Sequence, residues 1–258
     1  MRDCESISNR FSYATHKIDT NLFASGYVGV LETLRGFEDY MQMLEEKEVG
    51  GKTAFLLACQ HGQYNIAKIL IDEGEADIEA KDGGNRNSFM LACQNGHLNI
   101  VNMLLGLPEE RKVDINNKTK TGFTAFMIAC EGGHLDVLNT LLQLPKEWGV
   151  RLDDQTDKGY TGFMIACWHG QPNIVKRLLE LPDERHAAVN MKSRKGYTGF
   201  MIACEAGHKN IVSYLLGTSK ERANINLEDE EAEAGAQIAI QNVHLEVAQV
   251  IQQHKKEH

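Results

Sequence analysis

The sequence predicts an all-α fold of stacked helix–turn–helix units, because one phrase recurs along the chain at a nearly constant interval. GYTGFMIAC stands at 159–167 and again at 196–204, and the related phrases GKTAFLLAC and GFTAFMIAC stand at 51–59 and 122–130. A cysteine marks each unit at intervals of 34, 37, 37 and 37 residues: Cys59, Cys93, Cys130, Cys167 and Cys204. A glycine follows three residues after each of them. A fixed period of this length is typical of repeats that stack on their neighbours.

Two helices are predicted within each unit, as the unit at 122–158 shows. Thr124 can cap a first helix, because its side-chain oxygen accepts from free amides of the first turn. Gly133 ends that helix, and apolar residues then recur at helical spacing over 135–142, which predicts a second amphipathic helix. Pro145 ends the second helix, because the residue before a proline avoids helical geometry.

The ends of the chain carry weaker copies of the unit. Stepping back 36 residues from Gly62 reaches Gly26, where SGYVGVLETL aligns with GGHLDVLNTL, and Val243 replaces the glycine of the last unit. Terminal units diverge because one of their faces meets water. The sequence therefore predicts one solenoid of seven units over 1–258: a degenerate capping repeat at 1–50, five well-formed repeats at 51–217 and a divergent capping repeat at 218–258.

The order G-x-T-x-x-x-x-A-x-x-x-G-H, followed by a leucine-rich helix and D-x-N, resembles the ankyrin repeat. The resemblance covers about residues 16–258 and is strongest over 51–217. It implies an ankyrin-repeat solenoid, in which helix pairs carry finger loops that project to one side. The family's histidine after Pro-Leu is here Met127, Met164 and Met201. Because that histidine bonds to loop backbone in the family, the resemblance implies that other bonds replace it here.

The units are also longer than the common repeat, and the additional residues share a composition. Three of the four segments contain a proline followed within two residues by an acidic residue, which is typical of a helix start. An additional helical turn is therefore expected at LPEERK (107–112), LPKEWG (144–149), LPDERH (181–186) and GTSKER (217–222).

The composition narrows the classes of function. The formal net charge is −9, which argues against nucleic acid as a partner, because binding to phosphates needs positive charge. No apolar run approaches ~18 residues, so no membrane span is expected. The first residues lack the apolar stretch of a signal peptide. An intracellular protein, cytoplasmic or nuclear and monomeric on its own, is the expectation.

The repeated cysteines and histidines have structural explanations. The cysteines occupy a small-residue slot of the first helix, so we expect buried free thiols. Neighbouring helices lie ~8–10 Å apart, which is beyond the ~7 Å reach of a disulfide. The histidines at the turns are a regular element of the ankyrin pattern and show no metal-ligand spacing: His97, His134, His208 and His244.

The sequence shows no catalytic motif. GGKT at 50–53 lacks the earlier glycine of a phosphate-binding loop, and no G-x-S-x-G or C-x-x-C is present. We therefore expect no enzyme, no catalytic or metal-binding residue and no cofactor.

An aromatic row is the strongest functional signal. The middle residue of G-x-T is Phe123, Tyr160 and Tyr197 in successive units, on the predicted fingers. Trp168 occupies a slot that is Gln60, Gln94, Glu131 and Glu205 in the other units. Exposed aromatic residues are enriched at protein interfaces. The alternative is that each ring packs on its neighbour and stiffens the fingers.

Cations accompany these aromatic residues, which suits an acidic or phosphorylated segment of a partner. Ordinary solvated loop lysines are the equally weighted alternative. The predicted protein-binding residues are Phe123, Tyr160, Tyr197, Trp168, His169, Lys118, Lys120, Lys158, Arg194, Lys195, Glu131 and Glu205.

Three hypotheses for function remain. The first is a noncatalytic protein–protein interaction module that binds through its concave face and fingers. The second is a permanent structural or scaffold subunit of a larger assembly, which would aggregate or co-purify with its complex. The third is an enzyme hidden in 1–50 or 218–258, and each of these segments is short for a core of its own.

Overall fold

The computed structural model describes residues 50–73, 76–182, 189–218 and 229–257. In these ranges the chain is helical and contains no strand. Two compact units divide between Thr119 and Lys120, and each is described by itself. The degenerate repeat predicted at 1–50 lies almost entirely outside the described residues.

The first unit holds two described helix pairs. Within it, α1 packs on α3 and α2 packs on α4, which is the expected stacking of neighbouring repeats. The four helices are α1 (Ala54–Gln60), α2 (Tyr64–Asp72), α3 (Ser88–Gln94) and α4 (Leu98–Leu105).

The second unit holds four described helix pairs in the same arrangement. The first helices of successive pairs contact each other in order, and so do the second helices. The helices are α5 (Ala125–Gly132), α6 (Leu135–Gln143), α7 (Gly162–Trp168), α8 (Pro172–Leu179), α9 (Gly199–Glu205), α10 (Lys209–Gly217), α11 (Asp229–Gln241) and α12 (Leu245–Glu257). The prediction of an all-α ankyrin-type stack is confirmed.

The predicted helix boundaries follow from local chemistry. The Thr124 side chain accepts from the N–H of Met127 at 3.3 Å, which caps α5 as predicted. Gly133 ends the helix in the left-handed region, with φ of 71°, where glycine has no steric penalty. The second helix α6 ends at Gln143, two residues before Pro145.

The additional helical turn is confirmed at two of the four predicted positions. Short 3₁₀ helices occupy Glu109–Arg111 and Lys146–Trp148, each directly after a proline. The other two segments are 181–186 and 217–222, and their last four residues, 183–186 and 219–222, lie outside the described residues.

Within each unit, the core lies between the two helices of each pair and between neighbouring pairs. Val137, Leu138 and Leu141 are buried on α6, as the helical spacing predicts. All five repeat cysteines are buried free thiols, which confirms that prediction. Burial raises the pKa of each of these thiols, and it raises that of Cys204 to about 12.

Candidate functional site

Two fingers of the second unit are tight hairpins pinned by hydroxyl side chains. The repeats are numbered here from the first well-formed one, which begins at residue 51. In the finger that leads into the fourth repeat, the N–H of Thr156 donates to the carbonyl oxygen of Tyr160 at 3.0 Å, and the N–H of Tyr160 donates to Thr156 Oγ1 at 3.1 Å. In the fifth repeat, Ser193 and Tyr197 make the same two bonds at 2.9 and 3.2 Å. The aromatic residue that follows each glycine is therefore held at a fixed place on its finger.

Backbone hydrogen bonds join successive fingers. The N–H of Asp157 donates to the carbonyl oxygen of Thr121 at 3.1 Å, and the N–H of Arg194 donates to the carbonyl oxygen of Lys158 at 3.1 Å. The methionine that replaces the family histidine in the fourth repeat, Met164, is fully buried. These backbone bonds and the hydroxyl bonds within each finger supply the loop contacts that the resemblance implied must come from elsewhere.

A groove of about 620 Å³ opens between the fingers and the end of the first helix α7 in the second unit. Aromatic rings, one buried aliphatic side chain and several charged groups share its wall. The lining residues are Thr121, Phe123, Thr156, Asp157, Lys158, Tyr160, Ile165, Trp168, His169 and Lys195. The groove wall therefore combines apolar residues with charged residues. The apolar residues Phe123, Tyr160, Ile165 and Trp168 are called its floor, and the charged residues are called its rim.

Trp168 is the most exposed of the groove's aromatic side chains. It is the last residue of α7 and is 44% exposed. Its carbonyl oxygen lies 2.8 Å from His208 Nε2 of the next repeat. That histidine ring also covers Gly170, where an added Cβ would lie 2.5 Å from His208 Cε1. The fifth repeat thus holds the backbone that carries the tryptophan.

A weak ion pair borders the same edge of the groove. His169 Nε2 lies 3.4 Å from the Glu131 carboxylate, and both side chains are more than a third exposed. The contact links the ends of α7 and α5.

The cations on these fingers differ from many other cations of the protein in their lack of a carboxylate partner. Lysines on the helices pair with carboxylates, for example Lys209 with Glu246 at 3.2 Å and Lys176 with Glu180 at 4.0 Å. On the fingers, five cations form no ion pair with a carboxylate in the described ranges: Lys120, Lys158, Lys192, Arg194 and Lys195. The finger side of this acidic protein is therefore locally rich in unpaired positive charge.

The groove unites about half of the residues predicted from the sequence. The predicted residues that line it are Phe123, Tyr160, Trp168, His169, Lys158 and Lys195. The predicted residues that do not line it are Tyr197, Arg194, Lys120, Glu131 and Glu205. Lys118 belongs to the first unit, where its carbonyl oxygen accepts from Asn85 Nδ2 at 2.6 Å.

Sequence reasoning missed four residues of the groove wall. Ile165 looks like an ordinary core position, and Thr121 and Thr156 look like turn residues. Asp157 follows Thr156 in a finger of mixed charge. Alignment of the repeats offered one signal, because a hydroxyl residue stands four positions before the tyrosine in both tyrosine-bearing fingers.

The described residues hold no group of three or more histidine, cysteine, aspartate or glutamate side chains placed to bind a metal ion. Within the same ranges, no helix has both the length and the apolar character that crossing a membrane requires. What the groove offers chemically is apolar ring surface beside ammonium groups.

Stacked helix pairs with hydrogen-bonded fingers define an ankyrin-type repeat protein. The sequence model of the ankyrin repeats matches the chain in three copies, at 24–119, 89–186 and 163–258. The chain belongs to the ankyrin-repeat family. Ankyrin repeats are generally protein–protein interaction modules and are typically non-catalytic. A search of the curated proteins finds no match to this chain.

Proposed function

We propose that this protein is a noncatalytic interaction module, and that the groove of the second unit is where another protein binds. One observation carries the proposal. Trp168 stands 44% exposed at the groove, in a slot that is glutamine or glutamate in the other repeats. The stack does not need a large ring at this slot, because four other repeats do without one.

The neighbours of Trp168 make the same surface suitable for binding. Phe123, Tyr160 and the buried Ile165 line the groove with it, so that apolar area from two successive repeats faces one opening. Interface energy concentrates in a few aromatic residues at the centre of a contact. Their rings bury a large area at little cost in side-chain entropy.

The state of the cysteines supports a place inside the cell. The five described cysteines are free, and reduced thiols are typical of cytosolic and nuclear proteins. We therefore place the proposed binding in the cytoplasm or the nucleus.

A comparative pull-down from native lysate tests the proposal. The test variant is Trp168→Gln, which gives the slot the residue found at Gln60 and Gln94 and so preserves the repeat. The control is Trp148→Gln, which removes the other tryptophan, on a 3₁₀ turn that does not line the groove. Thermal melting establishes that both variants are folded.

We expect proteins that are captured by the parent and by Trp148→Gln to be lost with Trp168→Gln. Truncation of one central aromatic residue costs about 2 kcal/mol or more, which is roughly a thirtyfold loss of affinity. If Trp168→Gln captures the same proteins in the same amounts, the groove is not the binding site.

A further inference from the structure

Building on the proposed function of the groove, we infer that its partner is a short acidic segment of a protein. This segment presents aspartate or glutamate carboxylates on either side of one large apolar side chain. The inference rests on three features of the groove: its unpaired cations, its ring-lined floor and the single carboxylate in its wall.

The charge of the rim selects an anionic partner. The protein has a formal net charge of −9, yet the rim carries Lys158 and Lys195 without ion pairs in the described part of the chain. Lys120, on the preceding finger, and Arg194, next to Lys195, extend this charge. Cations without carboxylate partners attract an oppositely charged segment and repel basic ones.

The floor of the groove selects the apolar residue. Phe123, Tyr160 and Trp168 surround a wall that includes the buried Ile165. A volume of about 620 Å³ lies in the ~300–1,000 Å³ range of pockets that bury most of a small ligand. It therefore has room for a large side chain, with backbone on either side of it.

Asp157 favours carboxylate over phosphate as the anion. Asp157 lines the groove and precedes Lys158 in the sequence, and its negative charge repels a phosphate of charge near −2 more than a carboxylate of charge −1. Among the described residues no arginine lines the groove, so this part of its wall lacks the bidentate fork that typically recognises phosphate. Lysine ammonium groups act as point charges, which need no bidentate partner and therefore accept a carboxylate.

A display selection of random twelve-residue peptides on the purified full chain tests the inference without knowledge of the partner. Peptides that also bind Trp168→Gln are removed. Enriched sequences are then synthesised with a fluorescent label, and their Kd is measured by anisotropy at two salt concentrations. We expect enriched peptides to carry net negative charge and one aromatic or large aliphatic residue, and to bind more weakly in high salt.

Charge reversal makes the test specific. The double variant Lys158→Glu with Lys195→Glu should bind the enriched peptides about tenfold more weakly, and should bind versions with lysine at the acidic positions more tightly than the parent does. The control is Lys176→Glu with Lys209→Glu, which changes net charge equally at exposed positions outside the groove. Asp157→Asn should tighten binding of the acidic peptides about threefold.

The outcomes separate the inference from the proposed function. Enrichment of neutral or basic peptides, or the absence of any enriched peptide that depends on Trp168, would overturn the inference that the partner is an acidic segment. The groove would still stand as the binding site if the pull-down depends on Trp168. Phosphoserine versions that bind more than tenfold tighter would overturn the preference for carboxylate. Self-association in sedimentation that disappears in Trp168→Gln would identify a second copy of this chain as the occupant and overturn the inference.

Discussion

His208 Nε2 lies 2.8 Å from the carbonyl oxygen of Trp168, one repeat earlier in the chain. The same contact recurs in the first unit, where His97 Nε2 lies 3.0 Å from the carbonyl oxygen of Gln60. In the fourth repeat a glutamine takes this place, and Gln171 Nε2 donates to the carbonyl oxygen of Glu131 at 3.1 Å. The turn residue of each of these repeats thus holds the last turn of the preceding first helix.

The contact predicts unequal effects for two changes at His208. His208→Ala should lower the free energy of unfolding by about 1 kcal/mol, because it removes one hydrogen bond to backbone. His208→Gln should lower it by less than half as much, because Gln171 already makes the equivalent bond. Urea denaturation followed by circular dichroism measures both. Equal losses for the two variants would show that ring packing, and not the hydrogen bond, is what stabilises this turn.

Three glycines of the second unit form a graded series for substitution by alanine. Gly170 has φ of +69°, and an added Cβ there would lie 2.5 Å from His208 Cε1. Gly196 has φ of +81°, but an added Cβ there would have no atom of the described residues within 4 Å apart from its chain neighbours. Gly217 has no positive φ, and an added Cβ there would have none of the described residues' atoms within 4 Å apart from its chain neighbours and its own helix backbone. Left-handed backbone costs an L-residue roughly 1–2 kcal/mol, so we expect Gly196→Ala to lose about that much.

The two outer members of the series bracket this value. Gly170→Ala should lose more, because it adds a collision with the histidine ring, and Gly217→Ala should be neutral or stabilising, because alanine favours helix. Differential scanning calorimetry gives the order of the three melting temperatures. If Gly170→Ala has the same melting temperature as Gly217→Ala, the turn rearranges without a loss of stability, and the argument from backbone conformation fails.

The repeated sequence predicted the elements that every unit makes for itself. Caps such as Thr124, turn glycines such as Gly133 and the buried cysteine slot depend on local backbone and on one repeated packing position. Register therefore placed them correctly. Gln171 shows the limit of prediction from register. It takes the place of a histidine and donates to the equivalent carbonyl oxygen, that of Glu131, which repeat spacing alone does not reveal.

The groove was predicted only in part, because its wall depends on how fingers meet. Register gives Phe123, Tyr160 and Tyr197 the same position in their units, but only the first two line the groove. The fingers are joined by backbone contacts such as the bond from the Asp157 N–H to the carbonyl oxygen of Thr121. These contacts join residues more than thirty positions apart, and a single sequence does not show them.

The buried thiols predict a loss of stability at alkaline pH. Burial raises the pKa of Cys204 to about 12, above the ~8.5 of an exposed thiol. The folded state therefore holds its proton more tightly than the unfolded state. The stability from this group is present below about pH 8.5 and is lost as pH rises toward the folded pKa. Cys204→Ala should show a smaller fall in urea midpoint between pH 8 and pH 10.5 than the parent does.

Reaction with a thiol reagent gives the kinetic counterpart of that measurement. In native protein, the five described cysteines should react slowly, because they are buried and thiolate is the reactive form. Denaturant should make the reaction fast. Rapid native labelling of Cys130 or Cys167, identified by mass spectrometry, would show that these helices open locally far more often than their packing implies.

Asp82 predicts an acid-sensitive site in the first unit. Burial on its own raises the pKa of this carboxyl, but bonds from the Arg86 guanidinium and from the backbone N–H groups of Arg86 and Gly84 outweigh it and leave the pKa lowered. Arg86 Nε donates to Asp82 Oδ2 at 2.8 Å, and Arg86 Nη1 donates to Gln94 Oε1 at 2.9 Å. The pair therefore joins the finger that precedes α3, which carries Asp82 and Arg86, to Gln94 at the end of α3.

The sign of the pKa shift sets the pH range of the effect. A lowered folded pKa gives stability that is present above the unfolded value of about 3.9 and is lost as pH falls through the folded value. Arg86→Ala should lower the free energy of unfolding by about 1–3 kcal/mol at pH 7, because it leaves the nearly buried carboxylate without its cation. The difference from the parent should shrink toward pH 3. Arg151→Ala, at an exposed position, is the matched control and should change little. A difference between parent and Arg86→Ala that stays constant from pH 7 to pH 3 would mean that the arginine acts through packing alone and not through the charge of Asp82.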